Sequence, residues 1–364
     1  MKPLSGLKVL ELARILAGPW AGQILADLGA TVVKVERPGT GDDTRGWGPP
    51  FIGEAAAYFH ACNRGKSSVA LDMTTPQGQA AIRELAMQSD VLIENFKVGG
   101  LSKYGLDYDA LKAINPRLIY VSITGFGQDG PYAQRAGYDY IIQGMSGLMD
   151  ITGDPDGEPQ KVGVAVIDLF TGVYTSTAVL AALRQRDVTG EGCYIDMALF
   201  DVATAMLANQ AMNYLASGVS PTRMGNAHPN IAPYQVFAVK DGHVIVAVGN
   251  DQQFVRFCEG LGAGHLSQNP AYATNAGRVA ARQALQAELE PFLRSIGRAD
   301  VLTVLEAAGV PAGPINRIED VFNDPQIVHR GMRLEIDGVP GVASPIVING
   351  VRMNAETASP KLTR

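Results

Sequence analysis

The chain has 364 residues, of which 46% are hydrophobic and 18% charged, with 41 Gly and 21 Pro. That length furnishes two domains or one large one, and the composition excludes both a minimal binding module and a disordered chain. A formal net charge of −6 and a pI near 5.4 lack the basic footprint that a polyanion selects, so no nucleic acid and no membrane surface is expected as a partner.

Leu7–Leu12 reads as a strand, Ala13–Pro19 as a turn, Ala21–Leu28 as a helix closing at Gly29, and Thr31–Glu36 as the next strand, a βαβ unit. Ser68–Leu71, Val91–Glu94 and Leu118–Ile123 read as further strands, with helices over Thr75–Gln88 and Tyr108–Ile114 between them. This alternation predicts a doubly wound α/β sheet over the first half. Asp196–Ser217 reads as one long Ala- and Met-rich helix, followed by a Gly/Pro/Asn-rich connection over Gly218–Pro233. A smaller α/β segment then opens with a hairpin, Tyr234–Val239 and His243–Val248 around Asp241-Gly242, and continues with helices over Gln252–Leu261, Arg278–Ile296 and Ala299–Ala308.

Cys62, Cys193 and Cys258 are odd in number and without CxxC spacing, which fits a reducing cytoplasm better than a disulfide framework and supports no zinc site. The start of the chain lacks an apolar signal region, so no export is expected. The longest apolar stretch, Val162–Leu183, is interrupted by Asp168 and by Thr, Ser, Gly and Tyr residues, unlike a membrane span.

The first βα turn, Ala13-Arg-Ile-Leu-Ala-Gly-Pro19, lacks the GxGxxG that brings a backbone against a pyrophosphate. Glu36 ends the second strand where a ribose-binding acid stands in NAD enzymes, which keeps an NAD-dependent oxidoreductase as a distant alternative. Arg37, next in sequence, suits an adenosine phosphate or simply a solvated strand end. No GxSxG is present, and the five His residues show no metal-ligand spacing; Asn226-Ala-His-Pro229 reads as an ordinary turn. Asp168 is a charge inside the apolar run Gly163–Gly172 where a helix begins. The position suits an N-cap, whose amides keep the carboxylate ionised, and equally a nucleophile, because an ionised carboxylate between apolar walls is poorly hydrated. Asp139 precedes a second apolar stretch and reads as another cap or turn acid.

Gly6-Leu-Lys-Val-Leu-Glu-Leu12, Ala17-Gly-Pro19, Leu28-Gly-Ala30, Val33-Lys-Val-Glu36 and Gly41-Asp-Asp-Thr-Arg45 together resemble the start of the family III CoA-transferases, the group of formyl-CoA and carnitine CoA-transferases and 2-methylacyl-CoA racemases. Asn63-Arg-Gly-Lys-Ser67, Glu94-Asn-Phe96, Gly125-Phe-Gly-Gln-Asp-Gly-Pro131, Asp168 in its setting, and Asp324-Pro325 leading to Arg330-Gly-Met332 extend the resemblance along nearly the whole chain. It implies a large Rossmann-like domain made from both ends of the chain (1–187 and 318–364), a linker helix and loop (188–224), a small α/β domain (225–317), and an interlocked homodimer.

The resemblance further implies that Asp168 attacks an acyl-CoA thioester, that Asp139 is a second catalytic acid, and that Ile15, Leu16 and Ala17 form a turn contacting CoA. Arg37, Leu71, Asn95, Phe96 and Lys103 match CoA-contacting positions, Met197 matches one near the nucleophile, and Arg135 stands one residue from the family's basic position. The implied reaction passes CoA to a small carboxylic acid through an aspartyl anhydride and an aspartyl-CoA thioester, with CoA as substrate and no metal or redox cofactor. Trp47, Arg45 and Val248–Gln252 read as acceptor-pocket residues, Arg45 being suited to the remote carboxylate of a succinate-like acid or, equally, to a structural role in its Gly-rich loop. The racemase branch is the alternative. It carries a His before the acid, where this chain has Tyr138, whose ordinary pKa near ~10 suits proton abstraction poorly.

Overall fold

The computed structural model describes residues 1–363, which fall into two units, one made of 1–148, 161–220 and 324–363 and the other of 149–160 and 221–323. In the first unit, β1 (Lys8–Glu11), β2 (Thr31–Glu36), β3 (Lys66–Ala70), β4 (Val91–Glu94), β5 (Ile119–Thr124) and β6 (Tyr194–Ala198) form one sheet in the order β3-β2-β1-β4-β5-β6. Every pairing in it is parallel. The order is that of a Rossmann-like sheet, and it reverses between β1 and β4.

The two-residue period of the strands sorts their side chains onto two buried faces. Val9, Val91, Ile93, Val121 and Ile123 meet α1 (Ala17–Asp27) on one face, whereas Leu10, Leu92 and Tyr120 meet α2 (Pro76–Met87) and α3 (Tyr108–Ile114) on the other. The first face is shared with α4 (Asp139–Met145), the 24-residue α5 (Val166–Thr189) and α6 (Leu199–Met206). A further helix, α7 (Ala208–Ser217), follows a break in which Ala208 takes φ 44°.

α1 and α5 pack without a side chain between them at Gly172. A Cβ there would lie 2.8 Å from Trp20 Cδ1 and 2.9 Å from the carbonyl oxygen of Ala17. One turn further along both helices, Ser176 Oγ approaches the carbonyl of Ala21 at 3.5 Å. The two helices therefore run in the same direction, and both begin at the carboxyl edge of the sheet.

In the second unit, β7 (Tyr234–Val239), β8 (Gly242–Ala247) and β9 (Ala312–Pro314) pair antiparallel in the order β9-β8-β7. They pack through Phe237, Val244 and Val246 on α8 (Asp251–Gly260), α9 (Arg282–Arg294) and α10 (Arg298–Ala307). Arg278 is fully buried there, donating to the carbonyls of Ala232 and Tyr272 and to Asp251.

Four sequence expectations need correction. Residues 188–224 are not a linker: Tyr194–Ala198 is the edge strand of the large sheet, where Ile195 and Met197 turn to the core and Tyr194 and Asp196 are exposed. Ala and Met content masked that alternation, and the expected helix over Asp196–Ser217 is a strand and two helices. The helix expected over Arg278–Ile296 is interrupted at Ala281, and residues 149–160 and 318–323 group with the second unit.

Gly172→Ala is expected to destabilise the protein. Displacing a backbone oxygen and a Trp costs on the order of 1–3 kcal/mol, more than the ~1 kcal/mol of helix propensity that Ala adds. Gly163→Ala, with nothing within 4 Å of its Cβ position, is the near-neutral control. Urea midpoints of the two variants check this.

Candidate active site

The turn after β1 lies at the reversal of strand order, where open α/β sheets bind ligands. Asn95, just past β4, spans it: Arg14 N–H donates to Asn95 Oδ1 at 2.9 Å, and Asn95 Nδ2 donates back to the Arg14 carbonyl at 2.7 Å. Ile15 has φ 72°, the left-handed region that a β-branched residue seldom enters. Its N–H points at both carboxylate oxygens of Asp42, each 3.3 Å away. Leu16, the N-cap of α1, supplies no side-chain cap, so the first-turn amides, beginning at Ala17, face the edge of the sheet. Leu16 and Ala17 themselves are buried.

Asp168 sits in the first turn of α5, one turn before Gly172, on the face that abuts α1. It is not the N-cap expected from the sequence; α5 starts two residues earlier, after Ala165. The capping is done from a distance by Asp139, whose Oδ1 accepts from Ile167 N–H at 2.7 Å and Asp168 N–H at 3.3 Å. Gln143, fully buried, holds the other Asp139 oxygen at 2.6 Å and accepts from Val162 N–H at 2.9 Å. The chain reaches α4 from β5 through Gly125 and Gly137, which press together so closely that a Cβ on Gly125 would lie 2.5 Å from the Gly137 Cα.

The helix start is opposed by two other effects on Asp168. Burial, reinforced by the negative charge of Asp139, pushes its carboxyl up to about 7. Tyr58, on the short helix Ala57–Ala61 and edge-on to Trp47 at 5.3 Å, feels the same two carboxylates. Burial first, and then Asp168, Cys62 and Asp139, push its hydroxyl up to about 12. Neither Tyr58 nor Gln143 was selected from sequence. Gln143 had a signal, standing four residues after Asp139 on one helical face; a lone Tyr has none.

The other selected residues follow the carboxyl edge. Arg37 is exposed at the end of β2, and Leu71, half-buried just past β3, donates its N–H to the Glu36 carbonyl at 3.0 Å. Phe96 follows Asn95 and lies 5.9 Å beneath the Arg14 guanidinium. Exposed Lys103 lies over Tyr104, in a loop bordering a cavity of about 280 Å³ that contains Glu94. Met197 is half-buried near the carboxyl end of β6, and Arg135 is exposed, stacked 3.9 Å over Tyr132. A larger cavity of about 1830 Å³ between the two ends of the chain is lined by none of these residues.

Arg45 is tied into the fold. It is buried, bound through Nε and Nη2 to Glu36 at 2.8 and 2.7 Å, donates to the Pro360 carbonyl and stacks 3.7 Å over Phe59. Nε and Nη2 are thus engaged by the fold, in line with the structural alternative. Val248–Gln252 runs from just past β8 through the Asn250 N-cap into the first turn of α8.

Residues 4–364 match the family model described as CoA-transferase family III. A succinate–glutarate CoA-transferase of Agrobacterium fabrum is 55% identical over 99% of this chain and 93% of its own length. A human succinyl-CoA:glutarate CoA-transferase is 45% identical over 94% of this chain and 80% of its own. The crystal structure of a CaiB/BaiF family protein from Brucella suis superposes with a TM-score of 0.89 and 59% identity, covering 99% of this chain and 96% of that one. With a full-length family match, relatives of this identity and a Rossmann-like sheet carrying an acid beside its switch point, the chain belongs to CoA-transferase family III, enzymes that pass CoA from an acyl-CoA to a free carboxylic acid.

Proposed function

We propose that the enzyme exchanges CoA between dicarboxylic acids of the succinate and glutarate class, with Asp168 as nucleophile. The carrying observation is a half-buried carboxylate in the first turn of α5, on the face that meets the start of α1, on a helix start whose backbone amides Asp139 accepts from while Gln143 braces Asp139. The two relatives above are named for succinate and glutarate, which supports the substrate class.

In the proposed route, the Asp168 carboxylate attacks the thioester carbonyl and displaces CoA thiolate, leaving a mixed anhydride. The thiolate attacks the aspartyl carbonyl, releases the donor acid and forms an aspartyl-CoA thioester. The acceptor carboxylate then attacks that thioester, and the returning thiolate cleaves the second anhydride to give the new acyl-CoA and free Asp168. Amides of the Ile15–Ala17 turn stabilise the developing oxyanions. Arg37, Leu71, Asn95, Phe96 and Lys103 hold the CoA arm along the sheet edge, with Arg135 and Met197 beside it. The route asks for no metal or redox cofactor, since carboxylate and thiolate carry both transfers.

A homodimer is part of the same reading. The outer face of α5 exposes Phe170, Val173, Tyr174 and Leu180, an apolar stripe of the kind that a second copy covers. Light scattering is expected to give twice the 38.6 kDa chain mass; a monomer at micromolar concentration overturns the dimer. The free thiols of Cys62, Cys193 and Cys258 support a cytoplasmic location.

Asp168→Asn is expected to keep CoA binding in calorimetry and to lose transfer. Hydroxylamine with an acyl-CoA donor is expected to modify Asp168 in the wild-type enzyme, read by mass spectrometry; transfer surviving in the variant refutes the nucleophile. Because the ionised carboxylate attacks and burial pushes the carboxyl up to about 7, kcat/KM is expected to rise with pH through about 7. Asp139→Asn removes a neighbouring negative charge and is expected to move that rising limb to lower pH. An acceptor panel with succinyl-CoA as donor is expected to favour C4 and C5 dicarboxylates over acetate and formate by at least about tenfold, roughly the effect of one paired charge; equal use of monocarboxylates refutes the substrate class.

A further inference from the structure

Beneath the turn that carries Ile15 lies a buried charge network. Lys34, with a fully buried side chain, donates to Glu11 Oε1 at 3.0 Å and to the Ala13 carbonyl at 2.8 Å, and pairs with Asp42 at 2.9 Å. Lys66 joins the same Glu11, and also donates to the Pro19 carbonyl and Asn63, each at 2.8 Å. Asp42 is itself buried; it accepts from Thr44 N–H at 3.0 Å and Thr44 Oγ1 at 2.8 Å, and its own N–H is fixed by Glu36 at 2.8 Å. Both ends of the turn, Ala13 and Pro19, are thus pinned through carbonyls, and its middle residue through an N–H.

That middle residue is where the backbone is strained. A β-branched residue at φ 72° costs on the order of 1–3 kcal/mol and persists only when its surroundings over-determine it. On its N–H side the constraint is Asp42, and on its carbonyl side the nearest donor is the Cys62 thiol at 3.7 Å. Releasing Ile15 to an ordinary negative φ reorients the peptide that follows, and with it the amides entering α1 beside Asp168.

We propose that Asp42 is a positioning residue for CoA transfer, which holds Ile15 in the left-handed conformation and so fixes the Leu16 and Ala17 amides relative to the reacting carbonyl. Its effect falls on the chemical step, because the CoA arm is held by other residues along the edge. Asp42 touches neither CoA nor the acyl group in this assignment; it acts through Ile15. The inference rests on the reading of the turn as the oxyanion site, and separates from it in the following test.

Steady-state transfer from succinyl-CoA is compared in wild type, Asp42→Asn, Ile15→Pro and the double variant Asp42→Asn/Ile15→Gly. Asp42→Asn is expected to lower kcat by about a hundredfold, the scale of a misplacement near 1 Å, with KM for the donor within about threefold. Glycine takes positive φ without help, so the double variant is expected to recover at least about tenfold in kcat over Asp42→Asn. A merely structural Asp42, serving only to neutralise Lys34, leaves the loss unchanged by glycine at position 15. Ile15→Pro leaves the charge network intact while forbidding positive φ and removing the N–H that Asp42 accepts, and is expected to lose kcat with KM retained, which keeps the idea testable where Asp42→Asn does not fold. Transfer by Asp42→Asn or Ile15→Pro within about threefold of wild type, or a double variant no faster than Asp42→Asn, overturns the assignment. These kcat ratios decide the role of Asp42 whether or not hydroxylamine labels Asp168, so the two readings fail separately.

Discussion

The site depends on one close contact, that of α5 with α1 at Gly172. With no side chain at that position, the backbone of α5 reaches the Ala17 carbonyl and the Trp20 ring, and the two helices run in the same sense with their N-termini at one edge of the sheet. Asp168 precedes that glycine by one turn, so the contact sets its distance from the turn after β1. Any side chain on Gly172 pushes the helices apart and moves the carboxylate away from the amides. Packing at one residue thereby fixes the spacing of two groups that are far apart in sequence.

Two physical effects compete over the charge on Asp168, and their sizes settle the outcome. A helix N-terminus favours an anion by ~0.3–1 kcal/mol, less than one pKa unit. Burial beside the Asp139 carboxylate moves the group from 3.8 to about 7, several times that. Asp139 has two opposed parts here: its hydrogen bonds hold the start of α5, while its charge raises the carboxyl beside it. A less hydrated, more basic carboxylate is a better nucleophile toward a thioester, provided that enough of it is ionised near neutral pH.

Most of the large sheet was legible because its strands are short apolar runs bounded by turn residues, and Thr75-Pro76 announced a helix that the structure caps through the Thr75 side chain onto Gly78 N–H. The edge strand Tyr194–Ala198 was not, since an Ala- and Met-rich window satisfies a helical period as readily as a two-residue one. Asp168 was legible as a charge in an apolar run, but its capping partner lies 29 residues away and no local pattern records it. For Arg45 the sequence left a pocket role and a structural role open, because a Gly-rich loop does not record the long-range burial that sets the side chain against Glu36 and Phe59. Tyr58 and the Lys34–Asp42 pair escaped for the same reason: their roles arise from long-range packing, which spacing along the chain does not encode.

Linkage ties these electrostatics to stability. For Asp168 the folded carboxyl titrates near 7 against 3.8 in the unfolded chain, so the folded state binds the extra proton and loses stability as pH rises between those two values. Asp42 has the opposite sign. Burial alone raises it, but Lys34 and the Thr44 amide bring it below its ordinary value, so its contribution is present above the ordinary carboxylate pKa and is lost as pH falls through the depressed one. At the pH where Asp168 becomes an anion, Asp42 is already ionised, because Lys34 and the Thr44 amide hold its carboxyl below the ordinary value. The Ile15 N–H is therefore met by a charged acceptor under the conditions in which the proposed nucleophile is charged, so the strained turn keeps its constraint across the pH range in which Asp168 titrates.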